Sequence, residues 1–359
     1  MRKLFFIQII IFLAGINYAQ RAPLLNSPEV HKDKSVTFRF FSKKAESINL
    51  EAEFLTSPKS MIKDSTGVWS ITVDPIKPDI YPYFFVVDGI QVADPNNTYI
   101  FANERFKRSI VEIPGDEPLI HELQDVPHGK VTYCYYKSST LGRTRRLLVY
   151  TPPGFDVFDS NTKYPVLYLI HGGSDTEETW TKVGKANLIA DNLIAQKKAK
   201  PMIIVMPYGN VFPGQWDSFT KDVVNDVIPF IESNFPVYTD SKNRAVAGFS
   251  VGGGQTLNIG FTNLEKFSCI CSYAPYTATP EFKKNFTNWL PDAEKINKQL
   301  KLFTISVGTE DFLYESVKSN IAMFEEKNIN IKPFIVPGGH TWMNCKLFLA
   351  TSLPQLFTE

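Results

Sequence analysis

The sequence predicts an α/β chain: a mainly parallel sheet flanked by helices, preceded by a small all-β, immunoglobulin-like sandwich. Three observations predict it. Between about residues 36 and 113, short alternating segments are separated by turn signals. From about residue 165 onward, apolar runs of strand length alternate with helical patterns. The chain has 359 residues and 43% hydrophobic content, enough for two separate cores.

The sandwich elements come first. V-T-F-R-F-F alternates, with Val36, Phe38 and Phe40 on one face. S-I-N-L-E-A repeats the pattern, and G-V-W-S-I-T-V follows a Ser-Thr-Gly turn. Y-P-Y-F-F-V-V-D-G ends in Asp88-Gly89, a hairpin signal. Short antiparallel strands of this kind make a sandwich. Trp69 lies mid-strand, where burial in the sandwich outweighs a sugar-stacking role. Pro114 to Gly129 has prolines, charges and little periodicity, so the expected organisation is a sandwich over 21–114, a linker over 115–130 and an α/β domain over 131–359.

Met1 to Gln20 reads as a signal peptide. Arg2 and Lys3 give a charged start, Leu4 to Ala14 is an apolar run too short to span a bilayer, and Ala19 offers a small residue before a cut. The alternative on the same pattern is a retained N-terminal anchor. With cleavage, a secreted or periplasmic bacterial protein is expected, with no further membrane association. The formal charge is +1 and no basic block stands out, which argues against nucleic acid or an anionic membrane surface as a partner. Cys134, Cys269, Cys271 and Cys345 show no metal spacing, and buried free thiols are expected. The sequence leaves oligomeric state open.

The α/β region opens with two strands, Val131 to Lys137 and Thr144 to Tyr150, around Leu141-Gly142-Arg143. Pro165 to Ile170 and Met202 to Met206 read as strands buried on both faces. Further strands are expected at Ala245 to Ala247, Phe267 to Tyr273, Leu302 to Val307 and Lys332 to Val336. Helical patterns cover Lys185 to Ala195, Val223 to Phe235 and Tyr314 to Lys327. Sites in such sheets form beyond the carboxyl ends of the strands.

At one such end lies N-R-A-V-A-G-F-S-V-G-G-G. Gly248-Phe249-Ser250-Val251-Gly252 fits G-x-S-x-G between an apolar strand and a helix start, the context in which this pattern presents a nucleophilic serine. A serine hydroxyl needs a base. Of five histidines, His31 belongs to the sandwich, His121 and His128 to the linker, and His171 to the end of the first parallel strand. His340 remains, in the glycine-rich P-G-G-H-T-W after a strand. An acid should fix the imidazole, and either Glu310 or Asp311 fits on spacing. The Val251 amide, and an amide from Gly172 or Gly173, would receive the negative oxygen of a tetrahedral intermediate. Which of the two glycines does so is left open. No metal or organic cofactor is called for.

Two resemblances follow. The pieces L-V-Y-T-P-P-G-F, P-V-L-Y-L-I-H-G-G, M-I-I-V-M-P-Y-G-N, R-A-V-A-G-F-S-V-G-G-G-Q, V-G-T-E-D-F-L-Y and G-G-H-T-W run in order through residues 130 to 357. This part resembles the esterase D/feruloyl esterase group of α/β-hydrolases, carbohydrate esterase family 1. By that resemblance Ser250, Asp311 and His340 are nucleophile, acid and base. It implies feruloyl or acetyl esters on xylan as substrate, a polysaccharide or oligosaccharide ester. Two departures bear on the pocket: Phe249 and Val251 stand where Leu and Met are frequent, and Met343-Asn344-Cys345 lacks a second Trp. Trp180, Trp216 and Trp342 are candidates for lining the cleft, with structural packing as the alternative for each, and Phe249 is a further substrate-side candidate.

The N-terminal region, through F-R-F-F-S-K-K-A, G-V-W-S and P-D-I-Y-P-Y-F-F-V-V-D-G, resembles early-set, carbohydrate-binding-module-48-like domains. That fold does not by itself imply sugar binding. Alternative functions are an iron-siderophore (trilactone) esterase, an acyltransferase, or a non-catalytic glycan-binding protein on a hydrolase scaffold.

Overall fold

The computed structural model describes residues 23–358 apart from 160, 213, 290 and 291. The expected signal peptide lies outside the described residues. The N-terminal region forms two antiparallel sheets. One runs in the order Glu29–Val30, Val36–Phe41, Val68–Val73, Ile62–Lys63. The other is built around Ile48–Ala52, Asp79–Val87 and Lys107–Ile113. Alternation turns Val36 and Phe38 of the first sheet, and Ile48, Leu50, Tyr83 and Phe85 of the second, into one shared core. Asp88 (φ 48°) and Gly89 (φ 84°) make the tight turn that pairs Val87 with Ile90. Trp69 is buried, and its Nε1 donates to the Ser42 carbonyl at 3.1 Å.

The larger region is an eight-stranded sheet: β1 (Lys130–Ser138), β2 (Arg143–Thr151), β3 (Val166–Ile170), β4 (Ile203–Pro207), β5 (Arg244–Phe249), β6 (Cys269–Tyr273), β7 (Leu302–Gly308) and β8 (Lys332–Val336). The spatial order is β1-β2-β4-β3-β5-β6-β7-β8. The β1–β2 and β2–β4 pairings are antiparallel and the rest parallel. Strands β3 to β7 are buried on both faces, which is why they read as continuous apolar runs. The chain leaves β3 toward β4 on one side, while β5 lies on the other. This reversal opens a crevice at the carboxyl ends, and the register sets Ile170 of β3 beside Gly248 of β5.

Three regions differ from expectation. The helix expected from Val223 begins at Trp216, passes through a π-helical turn over Val223–Val227 and continues over Ile228–Asn234. Pro229 has no N–H to give the carbonyl four residues earlier, and a widened turn accommodates that loss. Helices Pro280–Trp289 and Ala293–Gln299 intervene between β6 and β7. Phe282 and Phe286, spaced by one turn, stack at 5.2 Å in a segment otherwise too polar to announce a helix.

The 115–130 segment is pinned along its length rather than a free tether. Asn192 Nδ2 donates to the Ile120 and Glu122 carbonyls at 2.8 and 2.9 Å. His128 Nδ1 lies 2.9 Å from Asp191 Oδ2. The two cores also meet directly: Ile80, Phe101 and Ile110 of the sandwich join the core of the large sheet. Beside them a buried ion pair joins Lys346 to Asp79. The four cysteines are free thiols, with Cys269, Cys271 and Cys345 buried and Cys134 half-buried.

Candidate active site

Ser250 stands between β5 and the helix Val251–Thr262 with φ 58° and ψ −117°. A non-glycine residue there stores backbone strain of about 1–3 kcal/mol, so its surroundings must hold it. They do: its N–H donates to the Tyr273 carbonyl at 2.8 Å, and its carbonyl accepts from Gly254 and Tyr276 at 3.0 and 2.9 Å. The helix enters very close to β3. A Cβ on Gly252 would lie 2.2 Å from the His171 carbonyl oxygen. The result is a half-exposed hydroxyl-bearing residue at the tip of a sharp turn.

The loops after β7 and β8 bring the next two groups together. Thr309 and Glu310 donate their amides to the Val336 and Gly338 carbonyls at 2.8 and 3.0 Å. Asn344 braces the second loop, its Nδ2 donating to the Pro337 and Gly339 carbonyls. In this frame Asp311 Oδ2 lies 2.7 Å from His340 Nδ1, while Asp311 Oδ1 accepts the Leu313 amide at 2.8 Å. Glu310 points to solvent. A buried carboxylate accepting Nδ1–H leaves the imidazole Nε2 free to take a proton. The ring of Phe249, next to Ser250, lies against the His340 ring at 4.6 Å and 25°, so the imidazole sits alongside the elbow. Phe312 covers the imidazole from another side at 4.7 Å.

The loop after β3 completes the crevice. His171 is buried, its Nδ1 donates to the Gly172 carbonyl and its Nε2 accepts from the Gly209 amide, both at 2.8 Å. Burial pushes the His171 pKa down to about 4, which keeps the ring neutral in this one tautomer. Gly173 lies against the first residue of the elbow helix: a Cβ there would sit 2.8 Å from Val251 Cγ2. A Cβ on Gly172 would meet Asp175 Oδ2 at 2.9 Å. Burial pushes the Asp175 carboxyl up to about 7, opposed by hydrogen bonds from the Asn103 side chain and the Gly172 amide.

This chain belongs to the putative esterase family, which matches residues 138–344. Its larger sheet has the α/β-hydrolase fold. It is 37% identical over 217 residues to the endo-1,4-beta-xylanase/feruloyl esterase of Xylanibacter ruminicola, 57% of this chain and 30% of that protein. It is 25% identical over 244 residues to endo-1,4-beta-xylanase Y of Acetivibrio thermocellus, 60% of this chain and 22% of that protein. The chain thus spans well under half the length of these relatives. Among solved structures, a ferulic acid esterase of Anaeromyces mucronatus superposes with a TM-score of 0.58 at 23% identity, covering 66% of this chain and 93% of that one. The enterobactin esterase of Shigella flexneri superposes with a TM-score of 0.68 at 18% identity, covering 90% of this chain and 92% of that one. At those identities the structural likeness is one of fold.

Burial separates the aromatic candidates. Trp180 has no exposed surface, and its indole packs edge-on against Trp342 at 5.1 Å. Trp342, Trp216 and Phe249 are also buried, at 4%, 6% and 5% exposure. Trp180 is therefore a packing residue rather than cleft wall, and the other three offer at most an edge. The exposed aromatic beside the imidazole is Phe312, at 75% exposure, which the sequence reading passed over. Its position directly after the candidate acid, in V-G-T-E-D-F, was the available signal. Asn103 and Asp175 were also missed, and no local pattern pointed to them. A cavity of about 650 Å³ lined by Asp217, Asn263, Asn285 and Asp292 includes none of these site residues.

Proposed function

We propose that this esterase is a secreted or periplasmic serine esterase that removes feruloyl or acetyl groups from xylan through an acyl-enzyme on Ser250. The observation that carries the reading is the 2.7 Å contact between His340 Nδ1 and Asp311 Oδ2 beside the strained Ser250 elbow. Ser250 Oγ attacks the ester carbonyl and its proton passes to His340 Nε2. The oxyanion rests on the Val251 amide and an amide from Gly172 or Gly173. Collapse expels the sugar alcohol, which takes the proton from His340. Water, deprotonated in turn by His340, then releases the acid and restores Ser250. No step calls for a metal or cofactor. Phe312 supports an aromatic acyl group, since its exposed ring offers a face next to the reacting atoms.

The 21–114 region is read as an early-set, carbohydrate-binding-module-48-like domain joined through 115–130 to the 131–359 hydrolase domain. A second reading is a trilactone siderophore esterase, favoured by the fold match to enterobactin esterase, which extends across both regions of this chain. An ester panel separates the two: acetylated xylan, feruloylated arabinoxylan, methyl ferulate and a ferric trilactone. Release of ferulate or acetate from xylan supports the first reading, and turnover of the trilactone alone would replace it. Ser250→Ala should keep the fold by circular dichroism and lower kcat by about 10⁴-fold or more. Substantial residual hydrolysis in that variant excludes Ser250 as nucleophile.

A further inference from the structure

We propose that Asn103, reaching out of the β-sandwich, is a positioning residue for the oxyanion loop, so that the chemical step of this esterase depends on its N-terminal domain. The inference rests on the acyl-enzyme reading above and adds a residue that acts through another. Asn103 is buried, and its Nδ2 donates to Asp175 Oδ1 at 2.8 Å. Its own Oδ1 accepts the Arg105 amide at 2.9 Å, so both ends of the amide are engaged. The neighbouring residue repeats the contact through the main chain, the Glu104 N–H donating to the Ser174 carbonyl at 2.7 Å. Two successive sandwich residues thus grip two successive residues of the loop that follows Gly172-Gly173.

The loop needs such a grip. A Gly-Gly pair has little conformational preference of its own. Ser174 sits at φ 62°, a left-handed conformation that must be enforced from outside. On the far side, the Asn210 side chain donates to the Asp175 carbonyl at 2.8 Å and accepts the Ser174 amide at 3.2 Å. Asp175 passes the constraint inward: its amide donates to the Gly172 carbonyl at 3.2 Å. Small displacements of an oxyanion donor cost rate rather than binding, because the interaction strengthens only as charge develops.

The test uses the full chain and four variants: Asn103→Ala, Asn103→Asp, Asp175→Asn, and the exchange Asn103→Asp with Asp175→Asn. Asn103→Ala should lower kcat by about tenfold to a hundredfold, with KM within about twofold. Affinity for a trifluoromethyl ketone, which mimics the tetrahedral adduct, should fall by the same factor as kcat/KM. Asn103→Asp alone sets two carboxylates together and should be at least as impaired. The exchange variant restores an amide-to-carboxylate bond of reversed direction and should recover kcat to within about fivefold of the parent. An exchange variant no better than Asn103→Asp, or an unchanged kcat in Asn103→Ala, overturns the proposal. Labelling of the parent by a fluorophosphonate is read separately. An unlabelled Ser250 would sink the nucleophile assignment, while the kcat comparison would still decide on Asn103.

Discussion

The two halves of the candidate site are held by different means. Ser250, Asp311 and His340 hang from β5, β7 and β8, and their loops are tied by main-chain hydrogen bonds such as Glu310 to Gly338 and Ser250 to Tyr273. The loop after β3 relies more on side chains, His171 and Asn210 from within the hydrolase and Asn103 from the sandwich, and takes one main-chain tie from the sandwich through Glu104. Main-chain ties follow once the strands are in register. The ties from Asn103 and Glu104 exist only after the domains have docked. The first half should therefore tolerate disturbance of the interface better than the second.

The largest expected effect tests the strand-held half. Asp311→Asn should lower kcat by about 10³–10⁴-fold by disfavouring the Nδ1–H tautomer of His340. The solvent-facing Glu310→Gln should change it less than about twofold. Comparable losses in both would show that the acid has been misassigned. Next comes the interface. Lys346 is buried in the helix Trp342–Ser352, just after His340, and pairs with Asp79 of the sandwich. Burial pulls its pKa below the usual lysine value while Asp79 holds it up. Lys346→Met leaves buried Asp79 with only His121 Nε2 at 3.8 Å as an ionisable partner and should cost about 3 kcal/mol in urea unfolding, with partial recovery in the double variant with Asp79→Asn. A neutral single variant would mean that the sandwich docks without this pair.

Phe312→Ala is a smaller effect, localised to the mouth. It should raise KM for methyl ferulate by about fivefold, the worth of one aromatic contact, and leave acetyl esters unchanged. Equal effects on both substrates would remove Phe312 from the acyl site.

The smallest effect concerns pH. The Asp175 carboxyl is pushed up to about 7 from 3.8, so the folded chain keeps this proton where the unfolded chain has lost it. Its contribution to stability is full below the unfolded value and is lost as pH rises through about 7. His171 acts oppositely: its folded value of about 4 lies below 6.5, so its contribution is present above 6.5 and lost as pH falls through about 4. Asp175→Asn removes the first dependence alone. The melting temperature of the variant should therefore gain on the parent between about pH 4 and about pH 7. A difference that stays flat across that range would contradict the carboxyl's shift.

The sequence by itself determined the strands, their alternation with helices, and the local features that follow from residue type. Apolar runs of about five residues between turn signals and helical patterns fit interior strands. Asp88-Gly89 supplies two positive φ values for a turn, and the small residues around Ser250 permit its sharp elbow. The oxygen–imidazole–carboxylate candidates were legible because each sits in a loop directly after an apolar strand. Spacing left Glu310 and Asp311 open and the resemblance pointed to Asp311; the folded loop buries Asp311 against the imidazole and leaves Glu310 exposed. Tertiary structure decided that Trp180 is packing and that Asn103 reaches Asp175, 72 residues away. Such contacts have no periodicity and no local signature. They arise where two independently patterned surfaces close on each other, and a one-dimensional pattern carries no record of that closure.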